Sequence, residues 1–256
     1  MDRVYHLKLD KKATRGAMFA FLPGDPDRVL KIAQAFDPDS REIARNREFR
    51  TLMGNLQGEP VLVTSTGIGG PSTAIAVEEL ARLGVRVFLR VGTSGAIQGG
   101  IHAGETVITA AAVRLDGASL DYAPIEYPAV ADYDILTSLV VSARELKIPF
   151  HVGITASTDT FYAGQGRRFS RYMIQRLNGS MEAWQKLGVL SYEMEASTLL
   201  TFCCAHGLKG GCITGVAVNR LEEQMVREEL LDVAEKRAIS IATKAMEKLV
   251  VSFKEL

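Results

Sequence analysis

The sequence predicts a single α/β domain over residues 1–256, with a central, mixed, largely buried sheet flanked by helices. Three observations carry this. Short apolar runs alternate along the chain with longer stretches of helical period, as in a sheet covered by helices. The 256 residues, 47% hydrophobic and 23% charged, suit one large globular unit or two small ones. No Pro/Gly/Ser-rich linker and no shift in composition divides them, which favours one.

In chain order, residues 17–22 (AMFAFL) read as the first strand, and PGDPDRVLKIAQAF as a tight turn into a helix. Residues 61–66 (VLVTST) form a second strand. After GIGG a helix runs from about residue 71 to 83, with Pro71 suited to its first turn and Gly84 to its C-terminal cap. Residues 85–91 are the next strand, so this unit predicts two parallel strands joined by a right-handed crossover. Further strands are predicted at 105–113, 150–157 and 211–218, and helices at 132–146 and 195–206. From 222 to 253 no Gly or Pro interrupts the chain. Leu231, Ala234, Ala238, Ile241, Ala245 and Leu249 mark one apolar helical face there.

Lys plus Arg and Asp plus Glu both number 30, and the zero net charge argues against nucleic acid or an anionic membrane as the main partner. A small anion needs only a few local positive groups. No apolar run reaches the ~18 residues of a membrane span. MDRVYHLKLDKK lacks a signal-peptide core, so a cytoplasmic location is expected. Of the three cysteines, Cys203 and Cys204 are adjacent and Cys212 lies in another apolar run. No C-x-x-C or His pairing suggests zinc, and buried, reduced thiols are expected.

The stretch RVGTSGAIQGG, residues 90–100, puts an arginine at the end of an apolar strand. An unpaired buried cation costs more than one hydrogen bond returns, so Arg90 needs an anionic partner from the protein or from a ligand. Two other loops, PGDPDR (23–28) and TGIGGPST (66–73), also follow strands. Ligands of open α/β sheets bind outside the carboxyl ends of strands, where the three loops should meet. Glycines let backbone N–H groups approach an anion, and a helix N-terminus adds positive potential. Arg28 and Arg90 supply two charged forks and Thr93 a hydroxyl. At roughly 1.5–3 kcal/mol per charge-assisted bond, a handful could hold inorganic phosphate.

Each feature alone has a plainer reading. Tight strand-to-helix turns use glycine anyway, and Arg28 by itself reads as a solvated helix residue. A dinucleotide site is disfavoured: Ser72 stands where the third glycine of Gly-x-Gly-x-x-Gly would be, and strand 85–91 ends with no acid for a ribose. The combination points to phosphate.

The segments PGDPDR, STGIGGPSTAIAVEEL, LRVGTSGAI, VRLDGAS, PAVAD, DTFYAGQGR, GSMEAWQ, YEMEASTLL and VNR, in this order, resemble the bacterial uridine phosphorylases of the hexameric nucleoside phosphorylase superfamily. The resemblance runs from about residue 6 to 220 and continues less distinctively through the last helix. It implies the nucleoside phosphorylase-like three-layer fold and reversible phosphorolysis, in which uridine and phosphate give uracil and ribose 1-phosphate. It also implies a homo-oligomer, a hexamer built of dimers, with no cofactor required.

By that resemblance Gly24, Arg28, Arg90 and Thr93 bind phosphate, joined by Arg47 from a neighbouring subunit. Phosphate would then be Arg90's partner. Glu195 takes the 2′- and 3′-hydroxyl protons of ribose, Met194 packs beneath the sugar, and His6 of an adjacent subunit reaches the 5′-hydroxyl. Read without the family, Glu193 and Glu195 are acids of a first helical turn, and His6 in VYHLKL is a surface residue. Phe161 stacks on uracil, Gln165 and Arg167 bond its polar edge, and Arg220 adds positive potential. The family also implies a potassium ion between subunits, matching Glu48, Ile68 and Ser72.

Two departures stand out. The family commonly reads Gln-Glu-Arg where this chain has Gln165-Gly166-Arg167, which predicts a looser loop around Gln165. The expected lid, residues 221–229, carries Met225-Val226 in place of a proline. Two other readings remain open. A purine nucleoside phosphorylase of the same fold needs an aspartate where Asn219-Arg220 stand, and a nucleoside-binding protein would hold the ligand without turnover.

Overall fold

A computed structural model of the chain describes residues 3–167, 171, 172, 174–222 and 225–254. The elements are, in order, α1 (Lys11–Thr14), β1 (Phe19–Leu22), α2 (Pro26–Phe36), β2 (Arg41–Asn46), β3 (Phe49–Leu56), β4 (Glu59–Thr64), α3 (Gly70–Leu83) and β5 (Val87–Ala96). Then follow β6 (Thr106–Leu115), β7 (Ala129–Val130), α4 (Tyr133–Leu146), β8 (Phe150–Thr158), α5 (Ser180–Lys186), β9 (Ser191–Glu193), α6 (Ala196–Ala205), β10 (Lys209–Asn219) and α7 (Glu228–Lys254).

The strands form one mixed sheet. Pairing runs β10-β6-β8-β9-β5-β1-β4-β3-β2, with β7 on β6, and β10 also pairs β5. Strands β5, β10, β6, β8 and β9 therefore close into a ring, from which β1, β4, β3 and β2 extend as a wing. Strands β4 and β5 are parallel, as the strand–helix–strand unit predicts, but β1 lies between them.

Continuous apolar runs such as FAFL fit a strand covered on both faces. Alternate residues feed two cores. Phe19, Phe21, Val87 and Leu89 join Ile32 of α2, Ile135 of α4 and Ile241 of α7 on one face. Ala20, Leu22 and Phe88 join Val77 of α3 and Leu199 of α6 on the other. The result is helix, sheet, helix. Helix α7 lies so close to the sheet that a Cβ on Gly215 of β10 would stand 2.6 Å from the Ala234 carbonyl oxygen.

Some boundaries differ from the sequence expectation. Strands β2 and β3 form a hairpin the sequence did not announce. REIARN is largely polar and partly exposed, as an edge strand tolerates, and its two-residue turn is Arg47-Glu48 in place of Asn-Gly. Helix α7 starts at Glu228. Asn219 Oδ1 accepts from the Leu221 N–H at 2.9 Å and turns the chain first. Residues 223 and 224 of the expected lid lie outside the described residues. Cys203 and Cys212 are buried, but Cys204 is partly exposed, with Sγ 3.3 Å from the Val130 carbonyl. Among the described residues no helix is long and apolar enough to cross a membrane.

One detail of the sheet places the site. Strand β1 pairs β5 only as far as Leu22 and Arg90, and β9 takes up the same edge at Gly95. Residues 91–94 are left without a strand neighbour on that edge, beyond the carboxyl end of β1. This is where an open α/β sheet offers a crevice.

Candidate active site

The three loops meet at this gap. The Thr66 N–H donates to the Pro23 carbonyl at 2.9 Å and the Gly67 N–H to that of Gly24 at 3.0 Å. A Cβ on Gly24 would lie 3.1 Å from the Gly67 oxygen and 3.9 Å from NH1 of Arg90. At Gly92 a Cβ would come within 2.7 Å of Arg90 NH2, so only glycine lets the guanidinium fold back over its own strand.

Arg90 is 4% exposed and already has protein partners. Its Nε lies 3.1 Å from Glu193 Oε2 and its NH2 2.5 Å from Glu195 Oε2. Two carboxylates of the chain thus neutralise the cation through these two nitrogens. NH1 is different. It is buried, has no hydrogen-bond partner among the described residues, and lies at the Gly24–Gly67 corner.

Burial pushes the Glu195 carboxyl up, Arg90 pulls it down, and Glu193 beside it pushes it up again, leaving it above the ordinary carboxylate range. Burial opposes the charge on Arg90, but Glu195 and Glu193 outweigh this and hold its guanidinium firmly protonated.

Arg28 is buried on α2, not solvated. Its NH2 donates to Glu235 Oε1 of α7 at 2.5 Å, and Lys31 reaches the other oxygen at 3.0 Å. Burial raises the Glu235 carboxyl, but the bonds and charges of Arg28 and Lys31 outweigh it and hold Glu235 below its usual range. A depressed carboxylate stabilises the fold fully above its unfolded pKa, about 4.3, and that contribution disappears as pH falls through the lower folded value. Glu235→Gln should therefore flatten the acid limb of the stability profile below roughly pH 4.3, read as the urea midpoint against pH. An acid limb identical to that of the parent would show that the pair contributes nothing. Thr93 is half-buried on the open stretch of β5.

Glu193 and Glu195 have distinct environments. Glu193 Oε2 accepts the N–H groups of Glu195 and Ala196, each at 2.9 Å, and Oε1 accepts the Ser157 hydroxyl. Ser157 Oγ in turn accepts the Ser197 N–H at 2.9 Å. The first turn of α6 is thus capped by Glu193 and Ser157. Glu195, the N-cap residue, makes no cap bond itself. Its Oε1 accepts the Gly69 N–H at 2.7 Å and its Oε2 takes Arg90 and, at 3.2 Å, the Met194 N–H. Neither is an acid of the first turn: Glu193 ends β9 and caps α6 from before it, and Glu195 is the N-cap residue. Met194 is half-buried between them.

His6 is partly buried. Its Nδ1 lies 2.8 Å from Glu79 Oε1, the Leu7 N–H donates to Glu79 Oε2 at 2.8 Å, and Asn46 donates to the His6 carbonyl at 2.8 Å. These bonds hold it against the β2–β3 hairpin. Arg47 stands exposed at the hairpin turn with φ of 54°, a left-handed conformation uncommon for arginine. Among the described residues neither His6 nor Arg47 bonds to Arg28, Arg90 or Glu195, so one chain does not assemble the whole expected set.

Glu48, Ile68 and Ser72 gather around Gly67, where a Cβ would stand 2.8 Å from Glu48 Cγ and 3.3 Å from Ser72 Oγ. The Ser72 hydroxyl donates to the Ile68 carbonyl at 3.0 Å. No group of three or more His, Cys, Asp or Glu side chains able to hold a metal ion occurs among the described residues.

The base-side residues come together as one loop. Gln165 is buried, with Nε2 donating to Thr158 Oγ1 at 3.2 Å and Oε1 accepting from Arg167 NH1 at 2.6 Å. Arg167 NH1 also donates to the Phe161 carbonyl at 2.8 Å. Gly166 takes φ of 72°, the left-handed turn that brings Arg167 back onto Gln165. These bonds close the loop on itself. The Arg167 guanidinium lies 4.1 Å over Phe161, so one ring face is covered and only the other can stack on a base.

Arg220 crosses Gly95, where a Cβ would meet its Cδ at 3.2 Å, and lies 5.5 Å from the Tyr192 ring centroid. Burial and the charge of Arg167 push its guanidinium down to about 10. Two guanidinium groups thus repel each other beside the open stretch of β5. Asn219 is consumed by the fold: its Nδ2 donates to the carbonyls of Gln98 at 3.0 Å and Ile101 at 2.6 Å.

Sequence reading assigned no site role to Glu193, Ser157 or Glu235. The signal for Glu193 was the Glu-x-Glu spacing at a strand-to-helix junction. The other two are brought in by distant elements and left no local trace.

The sequence matches the phosphorylase superfamily over residues 19–253. It is 51% identical over 248 residues to a uridine phosphorylase of Escherichia coli (strain K12), covering 96% of this chain and 98% of that protein. It is 47% identical over 231 residues to a uridine phosphorylase of Thermococcus kodakarensis, covering 90% of this chain and 81% of that one. A guanosine phosphorylase of Halorubrum lacusprofundi is 40% identical over 200 residues, 78% of each chain. With the family matched across nearly its whole length, the chain belongs to the phosphorylase superfamily.

Proposed function

We propose that the protein catalyses the reversible phosphorolysis of uridine to uracil and ribose 1-phosphate. The observation that carries this is the buried, unpartnered NH1 of Arg90 at the Gly24–Gly67 corner, on the same guanidinium that holds Glu195. One residue thus connects an anion site to a ribose acceptor. Phosphate lies on NH1, with Arg28, the Gly24 backbone and the Thr93 hydroxyl around it. Glu195 Oε1 keeps a lone pair for the ribose hydroxyls, and Met194 packs under the sugar.

The chemistry follows from the charges. A phosphate oxygen attacks the anomeric carbon while the glycosidic C–N bond breaks, and the bonding pair departs with uracil. The sugar becomes cation-like beside phosphate. Gln165, Arg167 and Arg220 stabilise the negative uracil, most strongly in the transition state, and Phe161 stacks on the ring with its free face. Phosphate-dependent release of uracil from uridine tests the reading, and release of uracil without phosphate would overturn it. The guanosine phosphorylase relative makes a purine reading worth testing in the same assay. Against it, Asn219 stands where a purine needs a proton donor, and its amide is tied to two backbone carbonyls.

His6 and Arg47 act in a neighbour's site, in a homohexamer built as a trimer of dimers. Arg47's exposed position at the tip of the β2–β3 hairpin supports this. Arg47→Ala and Arg90→Ala subunits, each inactive alone, should regain activity when co-assembled, because some sites then receive both arginines. Full activity in a sedimentation-verified monomer would exclude the shared site. No cofactor enters the reaction. Glu48, the Ile68 carbonyl and Ser72 form an oxygen set suited to a structural potassium ion between subunits.

A further inference from the structure

We propose that Asp116, through Ser197 and Thr198, is the positioning residue for Glu195; this rests on the reading that Glu195 takes the ribose hydroxyls. Asp116 follows β6 and is 4% exposed. Four donors converge on its carboxylate. Ser119 Oγ and Ser197 Oγ donate to Oδ1 at 2.9 and 2.5 Å, and the Ser119 N–H and Thr198 Oγ1 donate to Oδ2 at 2.8 and 2.7 Å. A carboxylate accepting on both oxygens satisfies all four; an amide cannot.

Two of these donors, Ser197 and Thr198, belong to the first turn of α6, immediately after Glu195. The other face of the same cluster carries the glycine loop. A Cβ on Gly70 would meet Thr198 Oγ1 at 2.6 Å and Asp116 Oδ2 at 3.3 Å, so that loop rests directly on the pair. Its Gly69 N–H is the donor that holds Glu195 Oε1 at 2.7 Å. Asp116 therefore fixes both ends of one hydrogen bond: the helix turn that carries Glu195 and the loop that carries its donor.

The cluster is anchored in turn. Ser119 Oγ accepts from Arg114 Nε at 3.0 Å, and Arg114 donates to the carbonyls of Ser119, Ala123, Pro124 and Tyr127 at 2.5–2.8 Å. The Asp116 carboxylate is thus linked to a buried guanidinium through a single hydroxyl. Glu193 and Ser157 already satisfy the N–H groups at the start of α6. What Asp116 adds is rotational register. Without it, the Ser197 and Thr198 hydroxyls lose the acceptor that ties the first turn of α6 to the end of β6.

A merely structural role and a positioning role separate by substrate. Loss of folded protein lowers kcat/KM for every nucleoside by one factor. Misplacing Glu195 penalises only substrates whose hydroxyls it grips. The test compares uridine with 2′,3′-dideoxyuridine, at saturating phosphate, in the full-length protein. Thr198→Val keeps the shape and removes one donor to Asp116, and Thr198→Ser keeps the donor. Thr198→Val should compress the uridine-to-dideoxyuridine ratio roughly tenfold, since small misplacements cost rate steeply. Thr198→Ser should hold the ratio within about twofold of the parent, as should the phosphate KM in both variants, because Glu193 still holds Arg90. Asp116→Asn should compress the ratio further. An equal loss on both substrates, or an unchanged ratio in Thr198→Val, overturns the inference while leaving the assigned reaction intact. A parent protein that does not prefer uridine over the dideoxy compound overturns the Glu195 reading and this inference with it.

Discussion

Replacing Arg90 with alanine is expected to abolish phosphate-dependent cleavage and also to destabilise the fold by about 3–5 kcal/mol, the usual cost of breaking a buried ion pair from one side. The loss of activity follows from NH1, which is left for an anion at the Gly24–Gly67 corner. The loss of stability follows from the other two nitrogens. Glu193 and Glu195, with side chains 0% and 6% exposed, would face each other without their cation. Glu193 would keep its bonds from Ser157 and the α6 backbone, so Glu195 is the carboxyl expected to take up a proton. Arg90→Lys separates the two effects. It retains charge but not the fork that spans two carboxylates and a third partner, so it should recover more stability than activity. Urea denaturation beside kcat/KM over a phosphate series reads both. A variant as stable as the parent would show that the two carboxylates do not depend on Arg90.

That double role explains what the sequence could and could not say. An arginine closing VRVFL, between Gly24, Gly67 and Gly92, announces a buried cation in need of an anion. Its partners are 103 residues or more away in sequence, on β9 and at the start of α6, and they meet it only because β9 takes over the edge of β5 where β1 leaves it. No local pattern encodes such a handover. The same holds for Arg28, whose helix is plain in PDPDRVLKIAQAF but whose burial depends on Glu235, 207 residues on. Helical period and apolar runs locate α3, α4, α7 and most of the buried strands, because each element's own face reports its burial. They fail at β2 and β9, where one strand is polar at an edge and the other is three residues long, and at the buried β3, whose FRTLMGNL breaks its apolar run with Arg, Thr, Gly and Asn.

The base pocket should discriminate sharply, and Arg167 should carry much of the rate. Uracil presents two carbonyls with an N–H between them, and the loop offers Gln165, with both an acceptor and a donor, beside two mutually repelling guanidinium groups. Cytosine puts an amino donor where one carbonyl would be, facing donors. Sites built around a specific polar group reject mismatched analogues by about 10⁴-fold or more, and bridging water softens that, so cytidine should be poorer than uridine by at least roughly 10²-fold in kcat/KM. Inosine should fail as well, because Asn219 is bound to Gln98 and Ile101 and cannot protonate a purine. Substituting Arg167 by alanine removes the donor proposed for the departing base and uncovers Phe161. Loss of one such donor costs about 10²-fold in kcat or more, and it should fall on kcat more than on KM because uracil bears most charge in the transition state. Steady-state kinetics on uridine, cytidine and inosine at saturating phosphate give all of these values. If inosine is cleaved as fast as uridine, the donors around Gln165 are not reading a pyrimidine and the purine assignment replaces this one.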